Sequence, residues 1–121
     1  MQNIHRLGFV GLTLANHRII AILCAINPYK ESRMALRKSS PLTRTVYIEC
    51  PIDILRQRDP KDLYRKALLP ESHPDHIPHF TGISDPYEVP VNPDLVIQTQ
   101  TAAPEQSAKV LTDYIIKIIS E

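Results

Sequence analysis

The sequence predicts an α/β fold, in which a parallel β-sheet is flanked by helices. Helical and strand-like segments alternate along the 121 residues, and this alternation is typical of parallel sheets joined by helical crossovers. Residues 19–26 (IIAILCAI) are apolar on both faces, as expected of a central strand covered by helices on both sides. The apolar residues near both ends of the chain recur at helical spacing, which predicts amphipathic helices there.

The N-terminal third predicts a helix, a strand and a second helix. Residues 3–16 predict an amphipathic helix that ends near Asn16. Its apolar stripe consists of Ile4, Leu7, Val10 or Gly11, and Leu14. The predicted strand at residues 19–26 ends at Asn27 and Pro28, and residues 31–38 predict a short polar helix.

The remaining elements follow from proline positions and apolar runs. Residues 45–49 (TVYIE) predict a second strand, and Pro51 suits the first position of a helix that runs to about Arg58. A further helix is predicted at residues 62–69, a long ordered loop in the proline-rich residues 70–93, and a third strand at residues 95–99. Pro104 opens the last helix. The buried stripe predicted for it is Val110, Leu111, Ile115, Ile118 and Ile119.

Composition excludes several classes of protein. The formal net charge is +1, so neither a nucleic-acid-binding nor an acidic-membrane surface is expected. The longest apolar run is far shorter than the roughly 20 residues that a membrane span needs, and the N-terminus lacks a signal-peptide layout. Cys24 and Cys50 fit no CxxC or zinc spacing. They are therefore expected to be reduced thiols of a cytoplasmic protein, with Cys24 a small buried hydrophobe.

Several segments resemble the adenylyl-sulfate kinase (APS kinase) family. Residues 2–6 (QNIHR) are similar to the family's ENIRR, and residues 58–67 (RDPKDLYRKA) to its RDPKGLYKKA lid. Residues 80–88 (FTGISDPYE) are similar to its FTGI and following SPYE, and residues 92–96 (NPDLV) to its last strand. The resemblance implies one partial domain over residues 1–121, with the lid at about residues 59–90. The implied fold is a P-loop-kinase-like parallel sheet flanked by helices and truncated at the N-terminus, with the first two strands missing.

The resemblance also implies a reaction and a set of site residues. The family transfers the γ-phosphate of ATP to the 3′-hydroxyl of adenosine 5′-phosphosulfate (APS), making PAPS for sulfate assimilation, and uses ATP with Mg²⁺. By resemblance, Lys61 is the catalytic cation of the lid and Arg58 lies against the adenine of ATP. The residues implied to bind APS are Asn3, Arg6, Ile26, Phe80, Thr81 and Gly82. Each also has a plainer alternative, because most charged residues are simply solvated and Phe80 could be a core aromatic.

The chain also departs from the family pattern. Its three glycines, Gly8, Gly11 and Gly82, form no glycine-rich phosphate loop, so the chain is expected to be inactive alone. In the family sheet the missing first strand lies between residues 19–26 and 45–49, and its loss leaves apolar edges. We therefore expect self-association or a partner chain that supplies the missing strands. The alternatives are a non-catalytic remnant that binds a nucleotide or pairs with a kinase, and a truncated reading frame.

Three local departures complete the comparison with the family. Asn27 stands where some family members carry a serine that can be phosphorylated, and Asp62 replaces the lid glycine. Residues 70–79 add a segment rich in proline and histidine. Its candidate metal ligands are His73, Asp75, His76 and His79. Because the prolines of this segment prevent a regular helix, water-facing histidines are favoured and no metal site is expected.

Overall fold

The computed structural model describes residues 2–121 and divides them into two compact units. Unit 1 comprises residues 2–45 together with Tyr87–Val91, and unit 2 comprises Val46–Pro86 with Asn92–Glu121. Unit 1 contains two helices, and unit 2 contains a two-stranded sheet and three helices. None of the described helices is both long enough and apolar enough to cross a membrane. The prediction of one partial domain over residues 1–121 stays a prediction.

Unit 1 is built on two helices that approach closely at a glycine. The helices are α1 (Gln2–Asn16) and α2 (Lys30–Ser39). A Cβ atom added to Gly8 would lie 2.2 Å from Cδ2 of Leu36, so any larger residue at this position would have to displace the Leu36 side chain. The predicted α1 is confirmed, but the predicted stripe is partly wrong. Leu7 and Leu14 are exposed, whereas Gly11 is buried, because the glycine-bearing face packs inward.

Helix α1 ends in a Schellman motif. The Ile19 N–H donates to the Leu14 carbonyl at 3.1 Å, and the Arg18 N–H donates to the Ala15 carbonyl at 2.9 Å. The motif requires a left-handed residue after the helix. Arg18 occupies this position with a φ of 62°, although glycine adopts such a conformation at lower cost. The helix therefore ends at Asn16, close to the prediction. The left-handed conformation of Arg18 that ends it could not be recognised in the sequence.

The strand predicted at residues 19–26 does not form. The segment has no regular secondary structure, and its side chains are largely solvent-exposed, with Ile22 61% and Ile26 68% exposed. No backbone group of residues 20–26 forms a backbone–backbone hydrogen bond with another described residue. A strand exists only where a neighbouring strand accepts its hydrogen bonds, and the described chain offers none here. Cys24 is consequently exposed rather than buried, so that prediction was also wrong, although both cysteines are free thiols as expected.

Unit 2 contains a parallel pair of strands. Strand β1 (Val46–Glu49) pairs with β2 (Leu95–Gln98), with Val46 opposite Leu95 and Glu49 opposite Gln98. Helices α3 (Ile52–Arg58) and α4 (Leu63–Ala67) follow β1. These elements confirm the second and third predicted strands and both predicted helices, with ends shifted by one or two residues. Among the described residues, β1 pairs on one edge only.

The last helix, α5 (Pro104–Ile119), packs against β2. Pro104 occupies the first position as predicted, and the Ala103 N–H donates to Oε1 of Gln106 at 3.0 Å. The predicted stripe is rotated, because Val110 and Ile119 are 45% and 61% exposed. The face that is half-buried comprises Ser107, Leu111, Tyr114, Ile115 and Ile118.

Candidate functional site

The segment that is predicted to form the lid begins, in unit 2, at a carboxylate that caps a helix. The first N–H groups of α4 have no acceptor within the helix. Oδ1 of Asp59 accepts a hydrogen bond from the Tyr64 N–H at 3.0 Å, and Oδ2 accepts one from the Arg65 N–H at 2.9 Å. These two bonds close a short loop from Asp59 to Tyr64. Lys61 lies within the loop, and its side chain is exposed, with no hydrogen bond or ion pair to the other described residues.

The environment of Asp59 keeps this carboxylate charged. Desolvation raises the pKa of Asp59, but backbone N–H groups of Arg65, Tyr64 and Leu63 and the charge of Arg65 together hold that pKa below its ordinary value of 3.8. The charge of Asp59 in turn acts on the Tyr64 hydroxyl. Burial, and then the negative charge of Asp59, raise the pKa of the Tyr64 hydroxyl. The side chain that caps α4 is therefore a negatively charged carboxylate rather than a neutral group.

Asp62, at the other end of this loop, adopts a left-handed conformation. Its φ and ψ are 55° and 22°, a region that glycine enters freely and that aspartate tolerates. The resemblance to the family places a glycine at this position. Asp62 makes up part of the cost through an ion pair with Arg65 at 3.3 Å between Oδ1 and Nε. This hydrogen bond to Asp62, followed by its charge, raises the pKa of Arg65.

Phe80 is held by one aromatic contact and one tight turn. Its ring lies edge-on to that of Tyr64, with centroids 5.0 Å apart and planes at 75°, a favourable arrangement for two aromatic rings. The Phe80 carbonyl accepts hydrogen bonds from the N–H groups of Ile83, Ser84 and Asp85 at 3.0–3.1 Å. The Phe80 N–H donates to Oγ of Ser84 at 2.8 Å. Phe80 is half-buried, so part of its surface remains available to a ligand.

Gly82 makes this turn possible. Its φ is 86°, a conformation that strongly favours glycine. The Gly82 N–H donates to the Asp85 carbonyl at 2.8 Å, and Thr81 forms an isolated bridge with Asp85. The backbone at Thr81 and Gly82 is thus folded tightly beside Phe80.

Arg58 is anchored to the end of the sheet. One guanidinium nitrogen, Nη2, donates to the carbonyls of Thr99 and Gln100 at 2.8 and 2.9 Å. These carbonyls follow directly after β2. The guanidinium plane is thereby fixed at the carboxyl end of a parallel strand, where ligands of α/β sheets usually bind. Arg58 differs in this respect from Lys61, which is unrestrained.

The predicted site residues fall into two groups. Asn3, Arg6 and Ile26 belong to unit 1. Asn3 and Arg6 are exposed and lie one turn apart on α1, and Ile26 is exposed on the irregular segment. The group in unit 2 consists of Arg58, Lys61, Phe80, Thr81 and Gly82. Their roles in ligand binding stay predictions.

Sequence reasoning missed a polar cluster in unit 1. Arg33 donates to the Asn27 carbonyl at 2.8 Å and also to the carbonyl of Glu88, 55 residues away. Ser32 is 2% exposed, and its hydroxyl, which has one proton to donate, lies within hydrogen-bond distance of Oδ1 of Asn27 and of the Tyr29 carbonyl. The Glu88 carboxylate in turn accepts the first N–H of α2. The cluster holds Asn27, with a φ of 42°, directly after Ile26. The only hint in the sequence was that Asn27 and Glu88 each lie in a family motif.

The histidine-rich segment does not converge on one point. His73 accepts a hydrogen bond from the Asp75 N–H at 3.1 Å, and Nδ1 of His76 lies 2.7 Å from the Leu69 carbonyl. Nδ1 of His79 lies 3.3 Å from Oδ1 of Asp85. Residues 2–121 contain no group of three or more histidine, cysteine or acidic side chains placed to hold a metal ion. Each histidine therefore has a separate local neighbour.

A family model identifies the chain. The model for Adenylylsulphate kinase matches residues 1–98. The chain belongs to the adenylylsulphate kinase family. It is 40% identical over 113 residues to the adenylyl-sulfate kinase of Deinococcus deserti, covering 93% of this chain and 60% of the relative. It is 47% identical over 97 residues to that of Chloroflexus aurantiacus, covering 80% of this chain and 50% of the relative.

A solved kinase supports the same assignment at the level of the fold. The structure of the Mycobacterium tuberculosis APS kinase CysC in complex with AMPPNP and APS is similar with a TM-score of 0.76 and 33% identity. The likeness covers 92% of this chain and 64% of that chain. The predicted fold, a partial kinase-like parallel sheet flanked by helices, is thereby confirmed. The chain spans between half and about two thirds of the length of these adenylyl-sulfate kinases.

Proposed function

We propose that this chain is the lid and sulfonucleotide-binding part of an adenylyl-sulfate kinase. The reaction is transfer of the γ-phosphoryl group of ATP to the 3′-hydroxyl of APS, which yields PAPS and ADP. The observation that carries the proposal is the arrangement at residues 58–86 of unit 2, where Asp59 caps α4 and the ring of Tyr64 in α4 contacts the ring of Phe80. The related M. tuberculosis kinase, with 33% identity, is described in complex with AMPPNP and APS.

The residues of unit 2 have chemistry that suits these roles. Phe80 presents a flat apolar ring on which the adenine of APS can stack, and the turn at Thr81 and Gly82 brings the backbone close to the base. Lys61 is a mobile cation at the tip of a closed loop, suited to neutralise phosphate charge in a reaction that depends on positioning and electrostatics. Arg58, fixed by the carbonyls after β2, supplies a planar surface for the adenine of ATP.

The residues of unit 1 suit the phosphosulfate group. Arg6 carries a guanidinium, which binds dianionic groups through paired hydrogen bonds, and Asn3 adds an orienting amide one turn earlier. Both side chains are exposed and therefore available to a ligand. Ile26 offers an apolar contact, held next to the polar cluster around Asn27.

Mg²⁺ accompanies ATP in this proposal, as an ion held mainly by the phosphates and by water. The described residues contain no group of three or more histidine, cysteine or acidic side chains placed to hold a metal ion, and the Asp59 carboxylate accepts two backbone N–H groups. We therefore assign no step of the reaction to a metal held by this chain.

Exposed apolar surface supports a proposal about partners. In unit 1, residues 19–26 combine exposed apolar side chains with unpaired backbone groups. In unit 2, β1 pairs on one edge, and its Ile48 is 56% exposed. Such surfaces bind added strands. The relatives are considerably longer than the matched region, so we propose that the remaining part of a kinase domain, from a partner chain in the cytoplasm, supplies these strands.

Complementation tests the proposal. The chain is assayed with ATP, Mg²⁺ and APS, alone and after co-expression with the portion of the D. deserti kinase that it does not match. We expect no PAPS from the chain alone, PAPS from the complemented protein, and loss of APS affinity in Phe80→Ala. APS binding without turnover in the complemented protein would favour the non-catalytic alternative. Absence of APS binding in that protein would refute the proposal, and light scattering reports whether the chain alone self-associates instead.

A further inference from the structure

We infer that Asp59 is a positioning residue that sets both Lys61 and Phe80 through the N-terminus of α4. The inference rests on the proposed function, which makes Lys61 and Phe80 the ligand-contacting residues of the lid. Asp59 itself touches no ligand in this account. It acts through two backbone hydrogen bonds, to Tyr64 at 3.0 Å and to Arg65 at 2.9 Å.

Asp59 holds the backbone on both sides of Lys61. The two hydrogen bonds accepted by Asp59 close the chain into a loop that contains Pro60, Lys61 and Asp62. Asp62 is left-handed, and its N–H donates to the Asp59 carbonyl at 3.0 Å. Both the backbone carbonyl and the carboxylate of Asp59 therefore hold this loop. The backbone of Lys61 is therefore held in place, whereas its exposed side chain and ammonium group can move.

Asp59 also acts on Phe80, through Tyr64. The residue whose N–H is bound by Oδ1 of Asp59 is Tyr64, and the ring of Tyr64 is the edge-on partner of Phe80 at 5.0 Å. Without its cap, a helix as short as α4, five residues long, has little stability of its own. Loss of the cap frees Tyr64, and Phe80 then loses the contact that orients its ring. The Asp59 carboxylate thus positions both Lys61, which is proposed to neutralise phosphate charge, and Phe80, which is proposed to stack on the adenine of APS.

The two backbone hydrogen bonds also stabilise the charge of Asp59. Two N–H donors on separate oxygens favour the ionised carboxylate, in agreement with the lowered pKa of Asp59. The charged and titratable groups that act on it are Arg65 and Tyr64. Because the folded-state pKa lies below the unfolded value, the capping contribution is fully present above the unfolded value, near 3.8. It is lost as the pH falls through the lower folded-state pKa.

Nuclear magnetic resonance tests the inference without requiring activity. The amide protons of Tyr64 and Arg65 should titrate together, with a midpoint below the ordinary aspartate value, and a nuclear Overhauser effect should join the rings of Tyr64 and Phe80. Asp59→Ala should abolish both signals. Asp59→Asn, which retains one carbonyl oxygen as an acceptor, should lose the titration and keep part of the ring contact. The control is Asp53→Asn, which removes the same charge from the exposed first turn of α3 and should change neither signal.

A measurement of APS binding tests whether positioning by Asp59 matters for function. In the complemented protein, loss of the Tyr64–Phe80 contact should weaken APS binding about threefold to tenfold, the range expected for one aromatic pair. If the wild-type protein binds no APS but the ring contact depends on Asp59, the proposed function fails and the positioning role stands. If the ring contact and the amide shifts of Tyr64 and Arg65 survive in Asp59→Ala, the inference is overturned, whatever APS does.

Discussion

Replacing Gly82 by alanine should disrupt the turn that presents Phe80. Gly82 has a φ of 86°, in the region that L-residues enter only at a cost. A methyl group at this position would lie 3.4 Å from Cδ1 of Ile52, which is an ordinary van der Waals contact. The structure therefore predicts that backbone conformation, rather than steric overlap, is responsible for the damage.

The expected magnitude follows from two alternatives. If alanine keeps the native backbone conformation, the left-handed geometry lowers the stability of the turn by about 1–2 kcal/mol. If it leaves that conformation, it loses the hydrogen bond from residue 82 to the Asp85 carbonyl, worth about 0.5–1.5 kcal/mol, together with the geometry of the turn. Either route destabilises the turn by about 1–2 kcal/mol. Where the turn contacts a ligand, the same change would weaken binding by roughly fivefold to thirtyfold.

Hydrogen exchange of the turn measures this effect directly. The N–H groups of Ile83, Ser84 and Asp85 all donate to the Phe80 carbonyl, and their exchange should accelerate in Gly82→Ala. Gly82→Asn is the matched control, because asparagine enters the left-handed region more readily than alanine but has a larger side chain. A conformational cause predicts that Asn is milder than Ala. Unchanged exchange in Gly82→Ala, or greater damage in Gly82→Asn, would refute the reasoning.

Three further substitutions test the backbone of the chain by urea unfolding followed by circular dichroism. Arg18→Gly should raise the free energy of unfolding by about 1 kcal/mol, because glycine suits the left-handed end of α1; a loss of stability would contradict the Schellman assignment. Asp62→Gly should give a smaller gain, since it also removes the exposed ion pair with Arg65, worth about 0–1 kcal/mol; an equal gain would mean that the pair contributes nothing. Gly8→Ala should cost about 1–3 kcal/mol through its overlap with Leu36; a neutral result would show that this side chain moves aside freely.

The sequence predicted the helices well because their signals are local. The apolar spacing in α1, the proline before α3 and the proline at the start of α5 each specify structure within a few residues. The faces were less predictable. In α1 the leucines looked like the buried stripe, but Gly8 and Gly11 face inward. Gly8 approaches Leu36 of α2, and Gly11 approaches Leu23 of the irregular segment. Such close approach depends on small residues in the helix and on the partner that meets them.

The irregular segment at residues 19–26 shows where prediction from local signals fails. Its composition is that of a buried strand, and the interpretation was chemically reasonable. Strand formation, however, needs hydrogen-bond partners on a neighbouring strand, and these are non-local. The pair β1–β2 formed because both strands are present in the chain and in register over four residues. Composition thus indicates which segment can become a strand, and only the neighbours decide whether it does.

The sequence proposes the residues of the candidate site, but not the contacts that hold them. The family motifs name Lys61, Arg58 and Phe80, and they say nothing about what holds them. The supports are contacts between distant positions, such as Tyr64 with Phe80 and Arg58 with the carbonyls after β2. No periodicity encodes such pairs, because each depends on the path of the chain between them.

Backbone strain in the lid lies next to the residues proposed to touch ligands. Asp62 follows Lys61 and has a φ of 55°, His79 precedes Phe80 and has a φ of 54°, and Gly82 has a φ of 86°. A non-glycine residue in this region persists only where neighbouring contacts stabilise it. Asp62 has such contacts through Arg65 and the loop closed by Asp59. Within residues 2–121, the side chain of His79 has only the exposed pairing with Asp85 at 3.3 Å. The segment that leads into Phe80 is therefore the least constrained of the three, and a ligand stacked on that ring would stabilise it most.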